Sequence, residues 1–210
     1  MIKKFSEYLL HKGLVFVVIV CLMALVAACG ATEDTADDTL LANAFAGAVN
    51  ESLFIGVLVA EDPPAPDRKA LIVYLCDGAD FSTWFFGETT GDSATLEAGD
   101  TSVTLSLGED SVTGEVVQAG TAPQPFVAEL ATDDAGLFRG VETFDGQDYV
   151  GGWIVLNDGR QRGAITLGGQ VVENPPLDLE TREAETSMGI LGSNCFINPH
   201  TGERICRYLN

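Results

Sequence analysis

Short apolar blocks and turn residues alternate along most of the chain. Phe54–Ala60 and Ala70–Cys76 are continuous apolar runs, joined by the proline-stiffened loop Glu61–Lys69, EDPPAPDRK. Ser82–Gly87, Ala94–Ala98, Ser102–Leu107 and Ser111–Gln118 follow, each closed by Gly, Asp or both. Leu137–Phe144, Gln147–Leu156 and Gln161–Leu167 are separated by Asp145-Gly146 and by Asn157-Asp158-Gly159-Arg160. Asp-Gly between strand-like runs is a hairpin signal, because both central positions of that turn need φ > 0. In Gln147–Leu156, Tyr149, Gly151, Trp153 and Val155 fall on one face and Val150, Gly152, Ile154 and Leu156 on the other. Both faces are apolar, which predicts a central strand. Nine or ten strands spaced about 8–12 residues apart, with short connections and no helix among them, predict an all-β fold. The preferred architecture is an antiparallel, barrel-like meander, with a β-sandwich as the alternative. Ahead of it, Leu40–Asn50 reads as a short helix, capped by Asp38 or Thr39 and ending near Gly47.

The first 28 residues have a different pattern. Lys3, Lys4 and Lys12 precede Leu14–Ala28, an apolar run of fifteen residues ending in small side chains. A basic stretch, an apolar stretch and a small-residue end, in that order, predict a secretory signal peptide. A membrane-crossing helix needs about 20 apolar residues, so an uncleaved anchor is the weaker reading. The expected organisation is therefore a signal peptide over 1–28, an acidic tether over 29–50, a β-domain over 51–173, and a linker with a cysteine-bracketed hairpin over 174–210. The stretch Gly30–Thr39 is small, acidic and without aliphatic residues, as a tether requires. Asn174–Gly189 reads as a partly helical linker.

Val26-Ala27-Ala28-Cys29 resembles the lipobox of bacterial lipoproteins, in which an aliphatic residue and two small ones precede the cysteine. The resemblance implies cleavage before Cys29 and acyl chains on its sulfur and its new amino group. It thus implies attachment to the membrane of the cell envelope through Cys29. Gly30 follows the cysteine, and the family rule then implies the outer membrane where a cell has two. Each buried methylene contributes about 0.8 kcal/mol, and stable anchoring takes two or more chains. A second resemblance covers Phe126–Ala164 and the strand end Tyr74–Gly78. An AGL(F/Y)R step, a GWIVL-x-DG-x-x-x-G segment and a Y-x-CDG end are similar to uncharacterised secreted or surface proteins of bacteria. That likeness implies no activity. Its glycines and tryptophan read as fold-forming: Gly151 and Gly152 for a bend or bulge, Trp153 for the core.

Charge narrows the partners. The chain has 31 acidic and 11 basic residues. Residues 1–28 hold Lys3, Lys4, Lys12 and Glu7, so the remainder carries 30 acidic and 8 basic residues and a formal charge of −22. A field of that sign disfavours nucleic acid and anionic lipid surfaces.

The residues that carry chemistry are few. Cys29, Cys76, Cys195 and Cys206 remain after residue 28. Cys195 and Cys206 bracket a turn sequence, Asn198–Gly202, and an oxidising compartment favours a disulfide between them. A ring of that size contributes about 2.8 kcal/mol. The competing reading, a zinc or redox site using Cys195, His200 and Cys206, lacks both the C-x-x-C pair and paired close ligands. Cys76 ends an apolar strand with no basic neighbour and reads as a buried thiol. Ser93 lies in a Gly-Asp-Ser step, but His200 is the only histidine after residue 28, so no catalytic triad is expected. The acidic turns around Asp77, Asp133, Asp145 and Asp158 do not match the calcium-loop spacing. No catalytic residue, metal ligand or cofactor is assigned. In Ser82–Gly87, alternation sends Phe85 to one face and Trp84 with Phe86 to the other. Core packing is the ordinary role for such aromatics, and a ligand platform of Trp84 and Phe86 is the sharper one. The leading function is therefore a lipid-anchored, non-enzymatic binding or interaction module. Its partner would be an envelope protein or a small ligand. A purely structural acidic surface lipoprotein and an envelope hydrolase are the alternatives.

Overall fold

The computed structural model describes residues 39–62, 65–193, 196–197 and 204–207. The fold is all-β, without a helix among the described residues. Its first eight strands are β1 (Thr39–Ala48), β2 (Phe54–Asp62), β3 (Ala65–Cys76), β4 (Ser82–Thr89), β5 (Ser93–Ala98), β6 (Thr101–Leu107), β7 (Ser111–Gln118) and β8 (Gln124–Leu130). They pair in the order β4-β3-β2-β1-β8-β7-β6-β5, all antiparallel. Two four-stranded meanders thus meet where Phe45 and Ala46 face Leu130 and Glu129. The ends of the order, β4 and β5, are consecutive in sequence and form no ladder, which leaves a nearly closed barrel with one seam. Leu96 of β5 packs over that seam against the bare backbone of Gly87.

A second antiparallel meander follows: β9 (Gly136–Phe144), β10 (Gln147–Val155), β11 (Gln161–Leu167) and β12 (Gln170–Glu173). The expected hairpin between β9 and β10 is present, with φ of 50° at Asp145 and 76° at Gly146. The sheet lies against the outer face of β1–β4, so β2 and β3 are buried on both sides over most of their length. That is why Phe54–Ala60 and Ala70–Cys76 are continuous apolar runs, whereas β5–β8 alternate apolar interior with polar exterior. The barrel interior is filled by side chains, among them Phe45, Ile55, Val73, Phe85, Leu105 and Phe126. A second layer, with Phe54, Leu58, Ile72, Tyr74, Leu137 and Ile154, lies between barrel and sheet.

Leu40–Ala48, most of the segment expected as a short helix, lies in strand β1 instead. Ala42, Ala44 and Ala46 recur every second residue and lie buried in the layer beneath the second sheet, while Phe45 enters the barrel. Pairing on both edges of β1, with β2 and with β8, outweighs the helical preference of alanine.

The stretch after Glu173 is not a free, partly helical linker either. Its β13 (Glu183–Glu185) and β14 (Ile190–Gly192) pair with each other. Leu177, Ala184 and Leu191 are buried with Phe138, Trp153 and Ile165 on the far face of the second sheet. The short β15 (Phe196–Ile197) pairs with β16 (Arg204–Arg207). β16 in turn runs parallel to the first residues of β1, with Ile205 buried in the layer between barrel and sheet. The packed β-structure therefore extends beyond the expected 51–173 at both ends, because β1, residues 174–192 and β16 each bury apolar side chains in it.

Candidate site on the outer face of the barrel

β3 and β4 pair with Ile72 opposite Phe86, Tyr74 opposite Trp84, and Cys76 opposite Ser82. Strand alternation turns these six side chains outward from the barrel and sends Phe85 into the filled interior. The aromatic run thus divides as its alternation predicts. Trp84 and Phe86 are half-buried and share one face. The rings of Tyr74 and Trp84 stack at 4.1 Å, 25° apart in plane, and Phe86 continues the row 6.3 Å beyond Trp84.

The second sheet makes room for this row with a glycine. A Cβ on Gly152 would stand 2.6 Å from Tyr74 Cζ and 2.6 Å from Trp84 Cζ2. No register shift occurs at Gly151 or Gly152, so no bulge is present there. These glycines serve close approach instead: Gly151 and Gly163 do for the Trp153 indole what Gly152 does for Tyr74. Trp153 itself is fully buried, and its Nε1–H donates to Pro175 O at 2.9 Å.

Opposite Gly152 in the β9–β10 ladder is Arg139, whose guanidinium carbon lies 5.7 Å from the centre of the Trp84 ring. The other arginines that lie over aromatic rings are partnered. Arg160 over Phe54 pairs with Asp158 at 2.8 Å, and Arg182 over Phe138 pairs with Asp134 at 2.6 Å. Arg162, also over Phe54, donates to the carbonyl oxygens of Gln161 and Glu51. Arg139 has no such partner among the described residues, and its Nε is buried without a hydrogen bond. Burial pulls its pKa down from the ordinary value, with no neighbouring carboxylate to oppose the shift; an arginine nonetheless stays charged.

Two hydroxyls end the row. Tyr74 Oη and Ser82 Oγ are buried and make no hydrogen bond. Burial holds the Tyr74 phenol well above its usual range. Cys76 is a free, buried thiol whose sulfur accepts the Gly78 N–H at 3.3 Å. Burial pushes its pKa up as well, the wrong direction for a nucleophile.

Two surface clefts flank this region. One, of about 370 Å³, lies between the turn at Asp77-Gly78 and Asn174–Pro176, with Arg162 and Gly163 lining it. The other, of about 420 Å³, is lined by Ala46, Gly47, Val127, Leu156 and Arg160. Both lie outside the barrel.

The acidic turns have structural duties. Asp77 accepts the N–H groups of Ala79 and Phe81, Asp148 accepts the Thr143 hydroxyl, and Asp158 and Asp134 hold arginines. Among the described residues no three His, Cys, Asp or Glu side chains converge. Ser93 is exposed at the start of β5. Cys29, Cys195 and His200 lie outside the described residues, as does the side chain of Cys206.

No family model matches the chain, and neither the curated proteins nor the solved structures contain a match. A functional reading therefore stands on the site. Of its members, sequence reasoning singled out Trp84 and Phe86 and missed Tyr74, Arg139 and Gly152 as partners. Each lies in a segment the sequence singled out, Tyr74 in the Y-x-CDG end, Arg139 in the AGLFR step and Gly152 in GWIVL, but nothing in those segments marks the three as neighbours. Three separate segments meet at one aromatic row.

Proposed function

We propose that this is a lipid-anchored protein of the bacterial cell envelope whose β-domain is a non-enzymatic binding module. Contact is made on the outer aromatic row, not inside the barrel. One observation carries the reading: a positively charged, half-buried Arg139, without a carboxylate partner among the described residues, lies over Trp84, whose ring continues to Phe86. In a chain with 30 acidic residues after position 28, such an arginine is costly to leave unpaired. The filled barrel argues against a ligand held within, as in barrels that enclose a cavity. The same filled interior is what favours the second reading, an acidic surface lipoprotein of purely structural role.

Hydrolysis by paired carboxylates fits less well. That chemistry needs an acid held above its ordinary pKa. Asp92, Asp158 and Asp178 are exposed and are shifted the other way, by Lys69 for the first and by backbone N–H groups for the others.

The address rests on the lipobox resemblance at Cys29, with the membrane as the partner there and the outer membrane where there are two. The proposed Cys195–Cys206 disulfide is supported by the antiparallel pairing of β15 with β16, in which Phe196 faces Ile205 and Ile197 faces Arg204.

Cys29→Ser tests the anchor. Loss of the protein from the detergent phase is expected, and unchanged partitioning would refute it. A thiol count on the unreduced, denatured mature protein tests the disulfide: one reactive thiol, Cys76, is expected, and three would contradict it.

A further inference from the structure

The first of the two clefts, about 370 Å³, is of a size that takes a small molecule. It lies between the turn after β3 and Asn174–Pro176, and Asn174 spans the two, its Nδ2–H donating to Ala79 O at 3.0 Å. Asp77 and Arg162 both line it, and among the described residues neither forms an ion pair. The contacts that hold each side chain leave part of it unused. Asp77 Oδ1 accepts the N–H groups of Ala79 and Phe81 at 2.8 and 3.0 Å, while Oδ2 accepts nothing among the described residues. The Arg162 stem lies over Gly78, where a Cβ would stand 2.6 Å from its Cδ, and the guanidinium lies over Phe54. It donates to Gln161 O at 3.0 Å and to Glu51 O at 3.5 Å, two of the five N–H donors that a guanidinium carries. Gln161 is committed, since both ends of its amide bond the backbone of Leu177. Arg68, Lys69, Arg160 and Arg182 hold carboxylates, whereas Arg162 holds none despite a formal charge of −22 after position 28. Charge then selects the occupant. An anion alone would face Asp77, and a cation alone would face Arg162. A molecule that carries both charges can pair with each.

We propose that this cleft binds a small zwitterion of the α-amino acid class. The carboxylate pairs with the remaining donors of Arg162, a charge-assisted contact, and the ammonium group pairs with Asp77 Oδ2. The rings of Pro175 and Pro176 give the ligand's side chain an apolar wall. The site shares no residue with the Trp84–Phe86 row and stands or falls apart from it. The rival account gives both charged side chains structural duties alone: Asp77 closes the turn, and Arg162 covers Phe54 in a cation–π contact.

The test titrates the full mature protein with the standard amino acids, singly, and follows the backbone amide signals of Gly78 and Gly163 by NMR. At least one amino acid is expected to shift both signals saturably. Its N-acetyl derivative, which lacks the ammonium, and its amide, which lacks the carboxylate, should each bind about ten-fold or more weakly, as loss of a charge-assisted hydrogen bond does. Asp77→Asn keeps an oxygen for the Ala79 and Phe81 N–H groups and removes the charge; it should weaken the parent amino acid by a similar factor. Arg162→Gln should do the same. An unfolding curve for each variant separates lost binding from lost folding, and where Arg162→Gln does not fold, Asp77→Asn and the two derivatives decide. A derivative that binds as tightly as its parent, or a folded Asp77→Asn variant that binds unchanged, would overturn the zwitterion site. So would the absence of any saturable shift with well-folded wild-type protein.

Discussion

Gly152 of the second sheet lies directly over the ring of Tyr74 on the barrel wall, with room between them for a hydrogen but not for a methyl group. The two residues fix how closely sheet and barrel approach, and the stack of Tyr74 on Trp84 depends on that spacing. Gly152→Ala is therefore expected to destabilise the fold by about 1–3 kcal/mol, as overpacking does. Gly91→Ala is the control, because a Cβ there meets nothing within 4 Å. Urea unfolding midpoints of the two variants check this.

The filled barrel gives a second expectation. Leu105 is buried among side chains inside the barrel. Leu105→Ala should cost about 2–5 kcal/mol through lost burial and the cavity left behind. Were the interior a ligand cavity, truncation would cost far less and an apolar dye would enter the wild-type protein. Thermal unfolding with and without such a dye tells the two apart.

Trp153 ties the C-terminal cover to the second sheet through its hydrogen bond to Pro175 O. Trp153→Phe removes that donor and leaves a half-buried carbonyl less well satisfied, at about 1 kcal/mol. The loss should be local. Amide hydrogen exchange is expected to speed up over residues 174–192 before it changes in β6 and β7.

Tyr74 makes the pH dependence alkaline. Its hydroxyl is buried without a hydrogen bond, and burial raises the pKa of both Tyr74 and Cys76. The folded chain then holds these protons at pH values where the unfolded chain has lost them. Stability is full below the ordinary thiol and phenol ranges, about pH 8.5 and 10, and declines as pH rises through them. Tyr74→Phe removes a phenol and an unsatisfied polar atom together. It should unfold no more easily than wild type at neutral pH, and less easily at alkaline pH. A Tyr74→Phe variant that is clearly weaker at neutral pH would mean that the hydroxyl has a partner.

Much of the architecture was legible in the chain, for identifiable reasons. The Asp145-Gly146 turn, the paired apolar faces of Gln147–Leu156 and the unbroken runs of β2 and β3 all follow from burial on one side or two. Leu40–Asn50 misled because its alanines favour a helix in isolation; their two-residue recurrence has meaning only once β2 and β8 lie on either side. Asn174–Gly189 misled because only Leu177, Leu179 and Ala184 carry its apolar pattern, and the surface they cover belongs to Phe138 and Trp153, far away in sequence. At the site, alternation alone placed Trp84 with Phe86. Arg139 was not legible as their neighbour, since the crossing of one sheet over another leaves no mark in either strand.

The most direct measurement places a photo-crosslinking amino acid at position 86 of the full-length protein in intact cells, with position 115 on the exposed outer face of β7 as reference. Adducts are expected at 86 and not at 115, and they should depend on Cys29. Equal labelling at both positions, or none at 86 in correctly anchored protein, would contradict a binding role for the Trp84–Phe86 row.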